Sequence, residues 1–288
     1  MAVHSEAPIV VGIDGSPTSL DALRWAARRA ALHRCPLELV HAIGAPVTFG
    51  PEVSVIGLDN QALRADGEAM LTSAEHTARE TAADIEIVTT VADLGPATVL
   101  LDRSPEARMI VVGTRGLGTL GRLLLGSVST SLARHARCPV AVIPDAEDPS
   151  RDLSRLPVVV GVDGSPRSQE AVDIAFEEAA RGNVGLIAVT TWSEFFRYTS
   201  REEMQEQARA LQAESLAGRA ERYPEVSVTH TVAEDRPARR LLAEAENAQL
   251  IVLGSHGRGG FAGMTLGSVG QAVLHSTRVP LIIARARD

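Results

Sequence analysis

The residues of this sequence best suited to chemistry are glycines. The stretch "GTRGLGTLGRLLLGSVST", residues 113–130, carries Gly113, Gly116 and Gly126 in the spacing Gly, two residues, Gly, nine residues, Gly-Ser. The same spacing returns in Gly254, Gly257, Gly267 and Ser268. Glycine adopts φ > 0 and lets backbone approach a ligand without a side-chain penalty, and successive N–H groups then form an anion nest. Ser127 and Ser268 stand where a helical pattern resumes. A helix N-terminus offers free N–H groups and a dipole favourable to phosphate. Asp14 in "GIDGS" and Asp163 in "GVDGS" add a carboxylate suited to a sugar hydroxyl or a base edge. The combination describes a nucleotide site built from backbone donors. The competing reading is that the glycines serve only tight turns and close helix–sheet packing; two copies, each with its aspartate, favour the ligand.

These residues need a scaffold, and the chain supplies it twice. "IVVGIDGSPTSLDALRWAARRA" from Ile9 is answered by "VVVGVDGSPRSQEAVDIAFEEA" from Val158, and "GPATVLLDRSPEARMIVVGTRG" from Gly95 by "RPARRLLAEAENAQLIVLGSHG" from Arg236. The offset is 149 residues from Ile9 to Val158 and 141 from Gly126 to Gly267, which places eight extra residues of the first copy within Gly44–Asp84. Residues 1–146 form a first domain on this reading, 147–157 a polar, proline-bounded linker, and 158–288 a second domain.

Each copy alternates strand and helix patterns. Ile9–Ile13 is a continuous apolar run, as in a strand buried on both faces. Ser16 is an expected N-cap with Pro17 at the first helical position, and Leu20, Leu23, Ala27 and Ala30 make one helical face. Strand Leu37–Ile43, helix Gln61–Ala83, strand Ile85–Val91, helix Pro96–Arg103, strand Met109–Val112, helix Val128–Arg137 and strand Val140–Ile143 follow. Such alternation predicts an α/β fold with right-handed crossovers: two tandem flavodoxin-like, Rossmann-like open parallel five-stranded sheets, order 3-2-1-4-5, with helices on both faces. Ligands of such sheets bind beyond the carboxyl ends of the strands where the order reverses, here between strands one and four.

Composition narrows the chemistry. The net charge is −8 and the pI about 5.5, which argues against nucleic acid. All 28 basic residues are arginine. Without lysine there is no Walker A loop, protein kinase, pyridoxal Schiff base or Ser–Lys hydrolase. No apolar run approaches the ~18 residues of a membrane helix, and "MAVHSEAPIVVGIDGS" lacks the basic start of a signal peptide. Two cysteines, Cys35 and Cys138, read as free thiols of a reducing compartment, the cytoplasm. The histidines form no ligand set with cysteines or carboxylates, and G-x-S-x-G is absent.

At "GTRG…GS" and "GSHG…GS", with "GIDGS" and "GVDGS" before them, the sequence resembles the universal stress protein family over nearly its whole length, in tandem, and looks closest to the ATP-binding tandem members of actinobacteria. The resemblance implies ATP as ligand, one per domain. It assigns Asp14 and Asp163 to the adenosine part and the backbone of Ala42 and Thr191 to adenine, and it counts Gly12 and Gly161 among the ligand-binding positions. It assigns Gly113, Thr114, Arg115, Gly116, Leu117, Gly118, Thr119, Gly126, Ser127 and Val128 to ribose and phosphates. In the second copy the matching residues are Gly254, Ser255, His256, Gly257, Arg258, Gly259, Gly260, Gly267, Ser268 and Val269. The copies differ: Arg258 stands early in the second loop where the first has Leu117, with Arg122 later, which predicts two sites of unequal affinity. A Mg²⁺ held mainly by phosphates would leave little signature in sequence. The short apolar fifth strands, "PVAVI" and "PLIIA", are sheet edges that invite pairing; the resemblance implies an internal pseudo-dimer and a homodimer of chains. A nucleotide-dependent stress or growth regulator with little or no turnover is the favoured function. A slow ATPase or adenylate-transferring enzyme, and a scaffold needing no ligand, are the alternatives.

Overall fold

In the computed structural model, residues 7–44, 60–114, 126–145, 153–193, 199–258 and 266–285 are described. Sequence-expected site residues Arg115, Gly116, Leu117, Gly118, Thr119, Gly259 and Gly260 lie outside them, as does Arg122. The chain divides into two compact units, Met1–Leu132 and Ala133–Asp288.

The first unit runs β1 (Ile9–Gly12), α1 (Pro17–His33), β2 (Leu37–Ala42), α2 (Asn60–Thr81), β3 (Ile87–Ala92), α3 (Pro96–Arg103) and β4 (Met109–Gly113); α4 (Ser127–His135) begins in it. Its strands lie in the order β3-β2-β1-β4, all parallel, with Ile9 opposite both Leu37 and Met109. Right-handed crossovers from β1 to β2 to β3 keep α1 and α2 on one face, and the reversal toward β4 sends α3 to the other. Ile9, Val11, Leu37, Leu39, Ile110 and Val111 are fully buried, as strands covered on both faces require.

The second unit opens with β5 (Val140–Ile143) and continues β6 (Val158–Gly161), α5 (Pro166–Gly182), β7 (Leu186–Trp192), α6 (Arg201–Leu216), the short α7 (Arg219–Arg222), β8 (Val228–Glu234), α8 (Pro237–Ala245), β9 (Leu250–Gly254), α9 (Ser268–Ser276) and β10 (Leu281–Ala284). Reading β6 as its first strand, β8-β7-β6-β9-β10 is the expected 3-2-1-4-5 order. β5 pairs antiparallel with β10, Val140 opposite Ile283 and Val142 opposite Leu281. The two apolar fifth strands thereby cover each other's edges.

Helix starts follow their sequence signals. The hydroxyl of Ser16 accepts from Ser19 N–H at 3.2 Å, that of Ser165 from Ser168 N–H at 3.2 Å, and Pro17 and Pro166 follow each cap. Both helices end on a left-handed residue that is not glycine, Arg34 (φ 54°) and Asn183 (φ 49°). Boundaries differ from the sequence expectation by one or two residues. The third strand begins at Ile87 rather than Ile85; Ile85 is buried core ahead of the ladder, which starts where Glu86 O accepts from Leu37 N–H at 2.8 Å.

Candidate functional site

Because β1 lies between β2 and β4, the residues after β1 and β4 meet at the reversal of strand order; β6 and β9 repeat the arrangement. Asp14 and Asp163 are half-buried there. Each accepts through Oδ1 from the following serine: Ser16 N–H at 3.0 Å and hydroxyl at 2.6 Å, Ser165 N–H at 2.9 Å and hydroxyl at 2.6 Å. The turns between pass through Gly15 (φ +78°) and Gly164 (φ +77°), a conformation that favours glycine. Ser168 completes the second turn, its hydroxyl accepting from the N–H groups of Asp163 (3.3 Å) and Gly164 (3.2 Å). These serines, spaced alike in "SPTS" and "SPRS", are the aspartates' positioning residues, and the repeat of that spacing was their signal in the sequence.

The glycines of the pattern divide into two kinds. Gly113 and Gly254 close the sheet against the first helix of each copy. A Cβ at Gly113 would stand 2.9–3.0 Å from Thr18 atoms, and one at Gly254 only 2.7 Å from the Arg167 backbone. These two serve helix–sheet packing. Gly257 meets the aspartate instead: a Cβ there would lie 2.5 Å from Asp163 Oδ2. That oxygen also accepts from Arg258 N–H at 3.3 Å, so the Asp163 carboxylate ties the turn after β6 to the loop after β9. The mouth of each loop is pinned by one backbone bond, Gly126 N–H to Thr114 O and Gly267 N–H to Ser255 O, both 2.8 Å. Beyond them, exposed Ser127 and Ser268 open α4 and α9, with half-buried Val128 and Val269 next. The following hydroxyls are committed inward, Ser129 donating to Gly126 O at 3.0 Å and Thr130 to the same oxygen at 2.9 Å. Gly12 and Gly161 end their strands against Leu100 and Leu253, and are packing positions.

Ala42 and Thr191 lie at the carboxyl ends of β2 and β7, half-buried and one strand from the aspartates. Beside them, His41 and Thr190 differ in type yet do one job. His41 Nδ1 hydrogen-bonds Ile13 O at 2.8 Å, and the Thr190 hydroxyl donates to Val162 O at 2.9 Å, each steadying the chain just before the aspartate. Trp192, at the end of β7, donates through Nε1 to Gln205 Oε1 at 2.6 Å.

Two arginines lie around His256 in the second copy: Arg285, and an Arg167 that is paired with Glu170 at 3.1 Å. Burial first, then the positive charges of Arg285 and Arg167, push the His256 pKa below its ordinary value, so the imidazole favours its neutral form. Arg285, whose Nη2 donates to Ala133 O, has its pKa lowered by burial, with Arg167 adding to the effect, to about 10, and stays charged at neutral pH. At the equivalent positions the first copy has Thr18 for Arg167 and Pro144 for Arg285. Among the described residues no group of three or more His, Cys, Asp or Glu is placed to hold a metal ion, and no helix is long and apolar enough to cross a membrane.

The universal stress protein family model matches residues 7–144 and again 155–285. The chain belongs to the universal stress protein family. It is 41% identical over 290 residues to a universal stress protein of Mycolicibacterium smegmatis, covering 98% of each chain. It is 43% identical over 284 residues to universal stress protein Rv2005c of Mycobacterium tuberculosis, covering 96% of each. In fold it is similar to the crystal structure of a universal stress protein from Archaeoglobus fulgidus, with a TM-score of 0.70, 20% identity and 98% of each chain covered.

Proposed function

We propose that this universal stress protein binds ATP, one molecule in each of two domains (1–146 and 158–288, joined by 147–157), and acts as a nucleotide-dependent stress or growth regulator with little or no turnover. The observation that carries the reading is the meeting of Asp163 and Gly257. The second glycine of the pattern is seated on the carboxylate that follows the first strand, at a spot where no side chain fits. A purely structural loop after β9 has no need to cross the crevice and close on an aspartate already satisfied by its own turn.

On this reading Asp14 and Asp163 orient the sugar or base edge, and the backbone at Ala42 and Thr191 faces adenine. The loop N–H groups, with the N-termini of α4 and α9 behind Ser127 and Ser268, hold the phosphates. ATP brings a polyphosphate charge, with a Mg²⁺ carried mainly by the phosphates, that the backbone donors of each loop offset without lysine. The Arg167, His256 and Arg285 group, and Arg258 where the first loop has Leu117, distinguish the second site from the first and support unequal affinities. The protein is proposed to be cytoplasmic and a homodimer of tandem chains, with no nucleic-acid partner.

Calorimetric titration with ATP is expected to resolve two sites per chain of unequal affinity. Absence of binding at millimolar ATP overturns the proposal. Steady accumulation of ADP and phosphate overturns the regulator without turnover and makes the chain a slow ATPase.

A further inference from the structure

Two strands away from that crevice, α6 turns polar side chains toward the sheet where a helix usually presents apolar ones. Gln205, Arg209 and Gln212 recur at spacings of four and three, which places them on one helical face. With His230 and Val232 of β8 they line a cavity of about 310 Å³.

The hydrogen bonds around it select the tautomer of its neutral histidine ring. Gln212 is 1% exposed. Its Nε2 donates toward Ala188 O (2.9 Å), Thr190 Oγ1 (3.1 Å) and Thr231 O (3.3 Å). Two of these are carbonyls, which only accept, so the amide can stand only one way round. Its Oε1 therefore faces His230 Nδ1, at 2.9 Å. A carbonyl oxygen only accepts, so Nδ1 carries the proton, and in the neutral ring Nε2 is left as an acceptor. Gln205 is likewise committed, accepting from Trp192 and donating from Nε2 to Val232 O at 3.2 Å. Arg209 is different: it is exposed and makes no hydrogen bond or ion pair with any described residue.

The first domain shows that the fold does not need this lining. Gly15 lies against Met70 as Gly164 lies against Leu211, and Ala42 pairs with Ala92 as Thr191 pairs with Ala233. In that frame Leu71, 2% exposed, stands where the second domain has Gln212; Glu68 stands for Arg209, Arg64 for Gln205 and Thr89 for His230. Arg64 is paired with Asp93 at 2.7 Å. A leucine fills the place at which the second domain keeps a buried amide and the histidine it orients.

We propose that this cavity is a second ligand site, for a small phosphate group, either inorganic phosphate or a phosphomonoester on a short stem. Arg209 supplies a cation with several N–H donors for the anionic oxygens. His230 Nε2 accepts from the P–OH of the hydrogen-phosphate form. Carboxylates and sulfate at neutral pH bring no such proton. The volume stands at the low end of small-molecule sites and suits one phosphate rather than a nucleotide.

The test is a titration of the full chain with inorganic phosphate, followed by NMR at the His230 ring and the side-chain amides of Gln205 and Gln212. Saturable shifts are expected, at least ten-fold weaker in Arg209→Gln, with sulfate at matched ionic strength at least ten-fold weaker than phosphate, and with ATP binding unchanged by the substitution. The proposal is overturned if phosphate moves none of these resonances, or if Arg209→Gln titrates like the parent. Sulfate binding as well as phosphate overturns the role of His230 Nε2 and with it the choice of phosphate. A glycerol phosphate titration separates the sources: tighter binding than inorganic phosphate identifies the monoester, weaker binding the free ion.

Discussion

Replacing Gly257 by alanine places one methyl group on the contact between the loop after β9 and the Asp163 carboxylate. The new Cβ would lie 2.5 Å from Asp163 Oδ2, well inside van der Waals contact. The backbone is no obstacle, because the left-handed glycines named above do not include Gly257. Either the loop lifts or the carboxylate turns. A lifted loop breaks the Arg258 N–H bond; a turned carboxylate weakens its bonds to Ser165 N–H and hydroxyl. Hydrogen bonds to a charged group contribute about 1.5–3 kcal/mol each. Losing the equivalent of one weakens ATP at the second site by roughly ten- to hundred-fold. The assay is calorimetric titration of ATP into parent and variant, with denaturant unfolding as the check on folding. One site should weaken and the other, in the first domain, should keep its affinity as an internal control. If the variant folds and both sites titrate as in the parent, the reasoning from Gly257 to the nucleotide is refuted.

Other outcomes follow from the same geometry. Gly254→Ala should act on stability, because its Cβ would meet Arg167 backbone atoms at 2.7 Å and α5 would have to move; a loss of about 1–3 kcal/mol is expected in urea unfolding. Gly182→Ala, at the end of α5 with its nearest neighbour Val184 at 3.6 Å, should instead gain about 0.5–1 kcal/mol in the same assay. His41→Ala should cost about 1 kcal/mol by leaving Ile13 O without its side-chain partner, and His41→Thr should recover part of it, as Thr190 does in the second copy. The lowered His256 pKa gives a pH signature: the unfolded chain takes up a proton as pH falls through about 6.5 while the folded one resists, so stability contributed by this group is present above that pH and declines below it. His256→Gln should flatten that part of the stability–pH profile. Bound phosphates would raise the same pKa, measurable by NMR titration with and without ATP.

The strand and helix succession was legible because parallel strands buried on both faces read as apolar runs, and because "GSP" before a helical face is a cap followed by proline. The place of the crevice followed from strand order alone. The division of labour among the glycines did not. Gly113, Gly254 and Gly257 look alike in a pattern, and only the neighbours of an added Cβ separate packing against Thr18 or Arg167 from contact with Asp163. His41 and Thr190 differ in type between the copies, and the carbonyls they bind lie 28 residues earlier in each case, beyond any local signal. The charged pattern of 201–222 carries no local sign that α6 sets Gln205 and Gln212 against β7 and β8 while Arg209, at the same opening, stays exposed. The substitution of Leu71 by Gln212 between copies was the available sign.

Denaturing freshly purified protein and identifying what it releases by chromatography and mass spectrometry tests nucleotide binding at its root. Intact ATP is expected, approaching two molecules per chain. Release of no nucleotide, together with no ATP binding on titration, would contradict it.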